Sequence, residues 1–188
     1  MRHFFTIPGF SLLGVIALFL IACSPGEDFE PCEEHFDLAA WVEKETAHIK
    51  AGDIMAMKVI ATGESGTADT VELSPAELVR YIEDLDEYNI DLPNLIGRYS
   101  CEEKTLDDGL LQWDFHARED RLSVRHFVVT KDKSGEVTKL SAVKKVGSFM
   151  ASMEKNFEWK SETKTLVIHV DYSSLFGTDK IYTIGFYY

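Results

Sequence analysis

The chain has 188 residues, 27% of them charged, and a formal net charge of −13 at pH 7. Because phosphate contacts need clustered Lys and Arg, this balance argues against a nucleic-acid partner and against docking on anionic lipid headgroups by charge. The length suffices for one domain and is short for two.

The first stretch of the chain is typical of a bacterial lipoprotein signal. An apolar run over residues 11–22 follows Met1-Arg2-His3 and leads directly into Cys23. Such a run fits a signal-peptide core better than a membrane span, which needs about 20 residues. We therefore predict that residues 1–22 are removed and that Cys23 carries the lipid anchor. A retained membrane helix and a plain secretory signal are the alternatives.

The anchor sets the expected location and domain organisation. Two or more acyl chains would hold the protein stably at a membrane. Ser24 follows the cysteine. An Asp at this position would resemble the inner-membrane retention signal of well-studied bacteria, so Ser24 favours the outer membrane. Which face of that membrane carries the protein is undetermined. Residues 23–35 are then the lipidated cysteine and an acidic tether, and residues 36–188 form a single domain.

Two further cysteines, Cys32 and Cys101, follow the lipobox. An oxidising compartment permits a disulfide between them, and closing so long a loop would stabilise the fold by about 4 kcal/mol. The competing interpretation is two separate thiols, with Cys101 packed as a small core residue.

Helix signals mark the N-terminal half of the domain. Asp37 as N-cap and Gly52 as C-terminal stop predict a first helix over residues 38–51, and Glu45 falls within its apolar repeat. Residues 54–61 and 67–73 flank a Gly-containing turn and predict a hairpin. Ser74-Pro75-Ala76-Glu77 predicts a capping box that opens a second helix. Its apolar face comprises Leu78, Val79, Ile82 and Leu85.

From Arg98 onward the apolar residues alternate with period two, which predicts strands. A turn at Glu119-Asp120 would place Trp113 opposite His126 and Asp114 opposite Arg125. The predicted fold class is α+β: two N-terminal helices with a hairpin between them, packed on a curved antiparallel β-meander. The strands are expected at residues 98–105, 110–118, 121–130, 136–144, 156–161, 165–172 and 180–188, with an irregular crossing at 147–152.

A pattern over most of the chain after Cys23 resembles uncharacterised lipobox-containing lipoproteins of Bacteroidota. It comprises the opening Phe36-Asp37-Leu38, a Lys-Val segment with a polar turn over residues 58–70, the helix from Glu77 to Ile82, and hairpins like residues 131–140. The chain departs from this pattern at residues 91–94, Asp-Leu-Pro-Asn, where an Asp-Ile-Asn-Lys-Pro-like segment is expected. The resemblance implies location and fold, and no activity or site residues.

Catalytic and metal-binding patterns are weak. The sequence contains no Gly-x-Ser-x-Gly, His-Glu-x-x-His, Walker loop or Cys-x-x-Cys, and we expect no enzyme, no metal and no cofactor. The alternating pairs Asp114/His116 and His169/Asp171 are the weak metal candidates, and His126 is expected on the apolar face of the sheet. The acidic run over residues 83–87, with Asp91, fails the calcium-loop pattern and is predicted to be a solvated helix face.

The plentiful aromatic residues are expected to pack a core on one face of the sheet. The first hypothesis is a non-enzymatic binding or assembly module of the cell envelope, with a protein partner and undetermined oligomeric state. The alternative is a carrier or sensor of a hydrophobic ligand in a cavity between sheet and helices, for which methionines would be an adaptable lining. The methionines considered are Met55, Met57, Met150 and Met153.

Overall fold

Residues 36–62, 68–175, 177 and 180–188 are described by the structure, a computed structural model. The predicted signal peptide, Cys23 and Cys32 lie outside the described residues. Within those ranges, neither helix combines the length and apolarity needed to cross a bilayer.

Side-chain caps define where both helices begin. Helix α1 spans Leu38–Gly52, and the Asp37 carboxylate accepts a hydrogen bond from the Ala40 N–H at 2.9 Å. Helix α2 spans Pro75–Glu83, and its capping Glu77 carboxylate accepts bonds from the N–H and the hydroxyl of Ser74 at 2.9 and 2.7 Å. These two bonds hold the pKa of Glu77 below its usual value. The chain then tightens into a 3₁₀ helix, Asp84–Tyr88, which the sequence did not predict.

The described strands form one nine-stranded antiparallel sheet in the order β2-β1-β9-β8-β7-β6-β5-β4-β3. This confirms the α+β class and the antiparallel sheet. The strands are β1 Ala56–Thr62, β2 Ala68–Leu73, β3 Tyr99–Thr105, β4 Leu111–Ala117, β5 Val124–Lys131, β6 Val137–Gly147, β7 Ala151–Lys160, β8 Thr165–Ser174 and β9 Lys180–Tyr187.

Strands β3 to β9 run in sequence order, whereas the β1–β2 hairpin joins the sheet beside β9. Met57 of β1 pairs with Tyr187 of β9. Since β2 and β3 are the outermost strands, helix α2, the 3₁₀ helix and residues 89–98 connect one edge of the sheet to the other.

The predicted register of β4 and β5 is wrong. Trp113 pairs with Val129 rather than His126, a shift of 129 − 126 = 3 residues, and His126 instead pairs with His116. The cause is the connection over residues 118–123, which is wider than a tight Glu119-Asp120 turn and buries Leu122. His126 therefore lies on the face opposite Trp113, because an odd shift exchanges the two faces of a strand.

The predicted irregular crossing at residues 147–152 is also wrong. A tight turn closes there, with the Ser148 N–H donating to the Ala151 carbonyl at 2.7 Å. Strand β7 consequently begins at Ala151, five positions before the predicted 156, and pairs with β6 from Ser152 opposite Gly147 onward.

Side chains from both helices and the sheet share one apolar core. Trp41 of α1 meets Trp159 of β7 edge-on, with ring centroids 4.9 Å apart. Tyr88 of the 3₁₀ helix meets Phe157 in the same way at 4.7 Å. Such edge-to-face contacts add to the stabilisation from buried area. Of the aromatic residues predicted to pack on the sheet, Tyr187 is 50% exposed, whereas Trp113, Phe115, Phe127, Phe157, Trp159 and Phe186 are buried.

Glu87 is exposed, as predicted for the acidic run, and its carboxylate also contacts the sheet. Its carboxylate lies between Lys144 of β6, at 2.9 Å, and Lys155 of β7, at 2.5 Å. Burial alone would raise the pKa of Glu87, but hydrogen bonds and charge from the two lysines outweigh it, and the net pKa is lowered. The other acidic residues of the run, Glu83, Asp84 and Asp86, are exposed as predicted.

The hydroxyl of the fully buried Tyr88 makes no hydrogen bond in the described part of the chain. Burial, with the nearby Glu87 charge, raises the pKa of this phenol. Because an unpaired buried hydroxyl costs desolvation energy, we expect Tyr88→Phe to leave the free energy of unfolding unchanged or raise it by up to about 1 kcal/mol.

The matched control is Tyr99→Phe, which removes a hydroxyl that donates to the Val124 carbonyl at 3.0 Å. That change is expected to lower stability by about 1 kcal/mol in urea unfolding. A loss at Tyr88 equal to the loss at Tyr99 would show that the Tyr88 hydroxyl is hydrogen-bonded after all.

Candidate ligand groove

A groove lies between helix α1 and the turns that connect β5 to β6 and β7 to β8. We call it the α1 groove; its volume is about 550 Å³, within the range of small-molecule sites. It is lined by Phe36, Ala40, Trp41, Lys44, Glu45 and His48 of the α1 segment, by Asp132 and residues 135–138, and by Trp159, Ser161 and Lys164.

Helical spacing aims one face of α1 into this groove. Trp41, Glu45 and His48 are four and three positions apart, so they project from the same side of the helix. Trp41 and Glu45 are both 8% exposed. The predicted apolar repeat of this helix therefore holds a carboxylate at a core position.

A short hydrogen-bond chain fixes that carboxylate. The Trp159 indole N–H donates to the Tyr188 hydroxyl at 2.5 Å, and this hydroxyl donates to Glu45 Oε1 at 3.2 Å. Burial raises the pKa of Tyr188, and the Glu45 charge adds to the effect. The phenol thus stays protonated and remains a hydrogen-bond donor to the carboxylate.

The charged residues at the rim of the groove interact with groups other than Glu45. Lys44 forms an ion pair with Glu136 at 2.7 Å, and both side chains are largely exposed. Lys164 lies over the Trp159 ring, its Nζ 5.8 Å from the centroid. Asp132 caps the β5–β6 turn by accepting from the Ser134 hydroxyl and the Glu136 N–H, bonds that lower its pKa.

No family model, curated protein or solved structure matches this chain. The interpretation of the groove therefore depends on its own chemistry.

A second, smaller cavity of about 240 Å³ lies on the other face of the sheet, across β5 to β8. Among its lining residues are His126, Asn156 and His169. His126 Nε2 and Asn156 Oδ1 lack hydrogen-bond partners in the described part of the chain, whereas His169 Nδ1 contacts the Thr183 hydroxyl at 3.0 Å. Both atoms are themselves shielded from solvent, although their residues are only partly buried.

The two weak metal candidates are not brought together. Asp114 and His116 lie on β4, and His169 and Asp171 lie on β8, with β5, β6 and β7 between them. At about 4.8 Å per strand, this separation is roughly 19 Å. Within the described ranges, no group of three or more His, Cys, Asp or Glu side chains could hold a metal ion.

Asp114 instead joins a polar cluster on β3, β4 and β5. Its carboxylate accepts from Lys104 and Gln112 at 3.0 and 3.1 Å, and it lies 3.5 Å from His126 Nε2. The rings of His116 and His126 stack with centroids 4.3 Å apart. Burial first, and the adjacent His116 second, lower the pKa of His126. Neutral imidazole is therefore favoured. His126 belongs to a partly buried polar network around Asp114 and does not lie on the apolar face as predicted.

Cys101 lies on the edge strand β3, is half-buried against the core and is disulfide-bonded. The chain has three cysteines, and the other two, Cys23 and Cys32, lie outside the described residues. The interpretation of Cys101 as an unpaired core thiol is thus wrong, while the identity of its partner stays a prediction.

The methionines do not line the groove. Met55, Met57 and Met150 are 48%, 44% and 43% exposed, and Met153 is half-buried on β7. Sequence reasoning missed the groove residues, and its one available signal was the position of Glu45 within the apolar repeat of α1.

Proposed function

We propose that this chain is a lipid-anchored outer-membrane protein and that its domain is a non-enzymatic binding module of the cell envelope. The α1 groove is its ligand site. The observation that carries the proposal is a groove of about 550 Å³ whose wall holds a nearly buried carboxylate, Glu45, among aromatic rings. Such a combination of apolar walls and a few fixed polar groups is typical of ligand sites.

The lipobox supports the location. On this proposal the sulfur of Cys23 carries the acyl anchor, which leaves Cys32 as the partner of Cys101. The bridge would fasten the tether to the edge strand β3 and leave residues 24–31 between membrane and domain. Such a segment spans at most about 30 Å when extended, so the domain would stay close to the membrane.

The alternative is a carrier of a hydrophobic ligand held between sheet and helices. It is supported by the aromatic residues that line the same groove. The sheet aromatics themselves pack against helix residues, as the Trp41–Trp159 and Tyr88–Phe157 contacts illustrate. We propose that the sheet curves around both helices. The ligand would then bind at one end of the space between sheet and helices, in the α1 groove, rather than in the middle of that space.

The test fills the groove with a side chain. Ala40 is exposed on α1 and lines the groove, and Ala39 is exposed beside it without lining the groove. In native mass spectrometry of protein released from its own membranes, we expect a bound small molecule on the wild type and on Ala39→Trp. The Ala40→Trp variant should carry at least ten-fold less.

Labelling the same cells with palmitate tests the anchor. The label should be incorporated into the wild type and not into Cys23→Ser. An unlabelled wild type would remove the anchor. The same adduct on Ala40→Trp, or none on the wild type, would remove the groove as the ligand site.

A further inference from the structure

We infer that the α1 groove selects a ligand with an ammonium or guanidinium group attached to an apolar body, and that Glu45 is the residue that recognises this cation. The inference depends on the proposed binding function and names the class of ligand.

The first observation is that Glu45 is a buried carboxylate that meets no counter-ion among the described residues. It is 92% buried, since its exposed fraction is 8%. Within the described ranges its hydrogen-bond partner is the neutral Tyr188 hydroxyl, and no Lys, Arg or His forms an ion pair with it. Buried carboxylates in proteins are normally paired or coordinate a cation, because desolvation of an isolated charge is costly. A cationic ligand would supply the missing partner.

The second observation is the aromatic surroundings of this carboxylate. Trp41, Trp159 and Phe36 form part of the wall of the groove that holds Glu45. Aromatic faces attract cations, and the electron-rich indole does so best. Lys164 already lies over Trp159 with its Nζ 5.8 Å from the ring centroid, which shows that a cation can approach this wall.

Charge argues against other occupants. An anionic ligand would face the buried Glu45 carboxylate, whereas the rim carries charges of both signs, Asp132 and Glu136 as well as Lys44 and Lys164. A neutral apolar ligand would remove water from Glu45 and offer nothing in exchange. The tether that precedes Phe36 contains Glu33 and Glu34, so its charge disfavours it as an occupant for the same reason.

Three small molecules of nearly equal size test the inference: phenethylammonium, 3-phenylpropionate and 2-phenylethanol. Their binding to the full-length mature protein can be followed by tryptophan fluorescence, since Trp41 and Trp159 line the groove. We expect phenethylammonium to bind 10- to 100-fold more tightly than either of the others, as is typical of a charge-assisted hydrogen bond in a partly dry site.

Glu45→Gln should abolish this preference while preserving the fold, because the amide oxygen still accepts from Tyr188. Its melting temperature should equal or exceed that of the wild type. The matched control is Glu43→Gln, which makes the same change of charge at an exposed position of α1 outside the groove, and it should keep the wild-type preference.

Equal or tighter binding of 3-phenylpropionate, a preference that survives in Glu45→Gln, or no binding of phenethylammonium at 10 mM would each overturn the cation assignment. If the Ala40→Trp variant nevertheless lacks the native ligand, any of these results would leave the groove as a binding site for another class of ligand.

Discussion

Reduction of the Cys101 disulfide is expected to lower the free energy of unfolding by about 4 kcal/mol. With the proposed partner Cys32, the disulfide would close a loop of about 70 residues, and the unfolded chain gains entropy when that loop is opened. Cys101 lies on the edge strand β3, which has one neighbouring strand. Urea unfolding with and without reductant measures the difference.

Cysteine variants identify the partner of Cys101. Cys101→Ser and Cys32→Ser should both unfold like the reduced wild type and should both be insensitive to reductant, whereas Cys23→Ser should keep the stability of the oxidised protein. If Cys23→Ser and Cys101→Ser match instead, Cys23 is the partner, and the proposed acylation of its sulfur fails. Coincident unfolding curves for oxidised and reduced wild type would contradict the stabilising role itself.

Replacing Glu87 with Gln is expected to lower the free energy of unfolding by about 1–2 kcal/mol at neutral pH. The expected loss lies between the values for exposed and buried ion pairs, because the Glu87 side chain is 33% exposed while those of Lys144 and Lys155 are 17% and 23% exposed. Without the carboxylate, two half-buried ammonium groups would remain close to each other beside the ring of Tyr88.

The pH dependence follows from the lowered pKa of Glu87. A carboxyl group with a depressed pKa in the folded state contributes its full stabilisation above its unfolded pKa, near 4.5, and loses it as the pH falls through the folded value. The wild type and Glu87→Gln should therefore differ most at neutral pH and converge at acidic pH. The control Glu83→Gln removes an exposed pair with Lys50 at 3.9 Å and should change stability by less than about 0.5 kcal/mol. A difference between wild type and Glu87→Gln that does not change with pH would contradict this account.

Local signals in the sequence predicted the local structure. Asp37 and the Ser74–Glu77 box act at their predicted helix starts because a cap depends on residues three positions apart. The β4–β5 register failed because it depends on the shape of the intervening loop, and the burial of Leu122 there is a tertiary effect. The 3₁₀ helix similarly places Tyr88 in the core, which its own acidic sequence does not indicate.

The groove could be predicted only in part. A carboxylate between Val42 and Ile49 in an apolar repeat is a local sign of a special environment. Its partner Tyr188 is 143 positions away, and Trp159 reaches the same hydroxyl from a third element. No pattern within one segment shows that these side chains meet, because their proximity is set by the position of α1 across several strands.

The pairing of β1 with β9 also constrains the order in which this protein can fold. Met57 and Tyr187 are partners across 187 − 57 = 130 positions, so the sheet cannot be completed until the chain has been synthesised through β9. Until then β1 and β8 both present unpaired backbone groups, which invite association with other chains. A partly synthesised chain of this topology would therefore benefit from a chaperone until β9 is available to cover both edges.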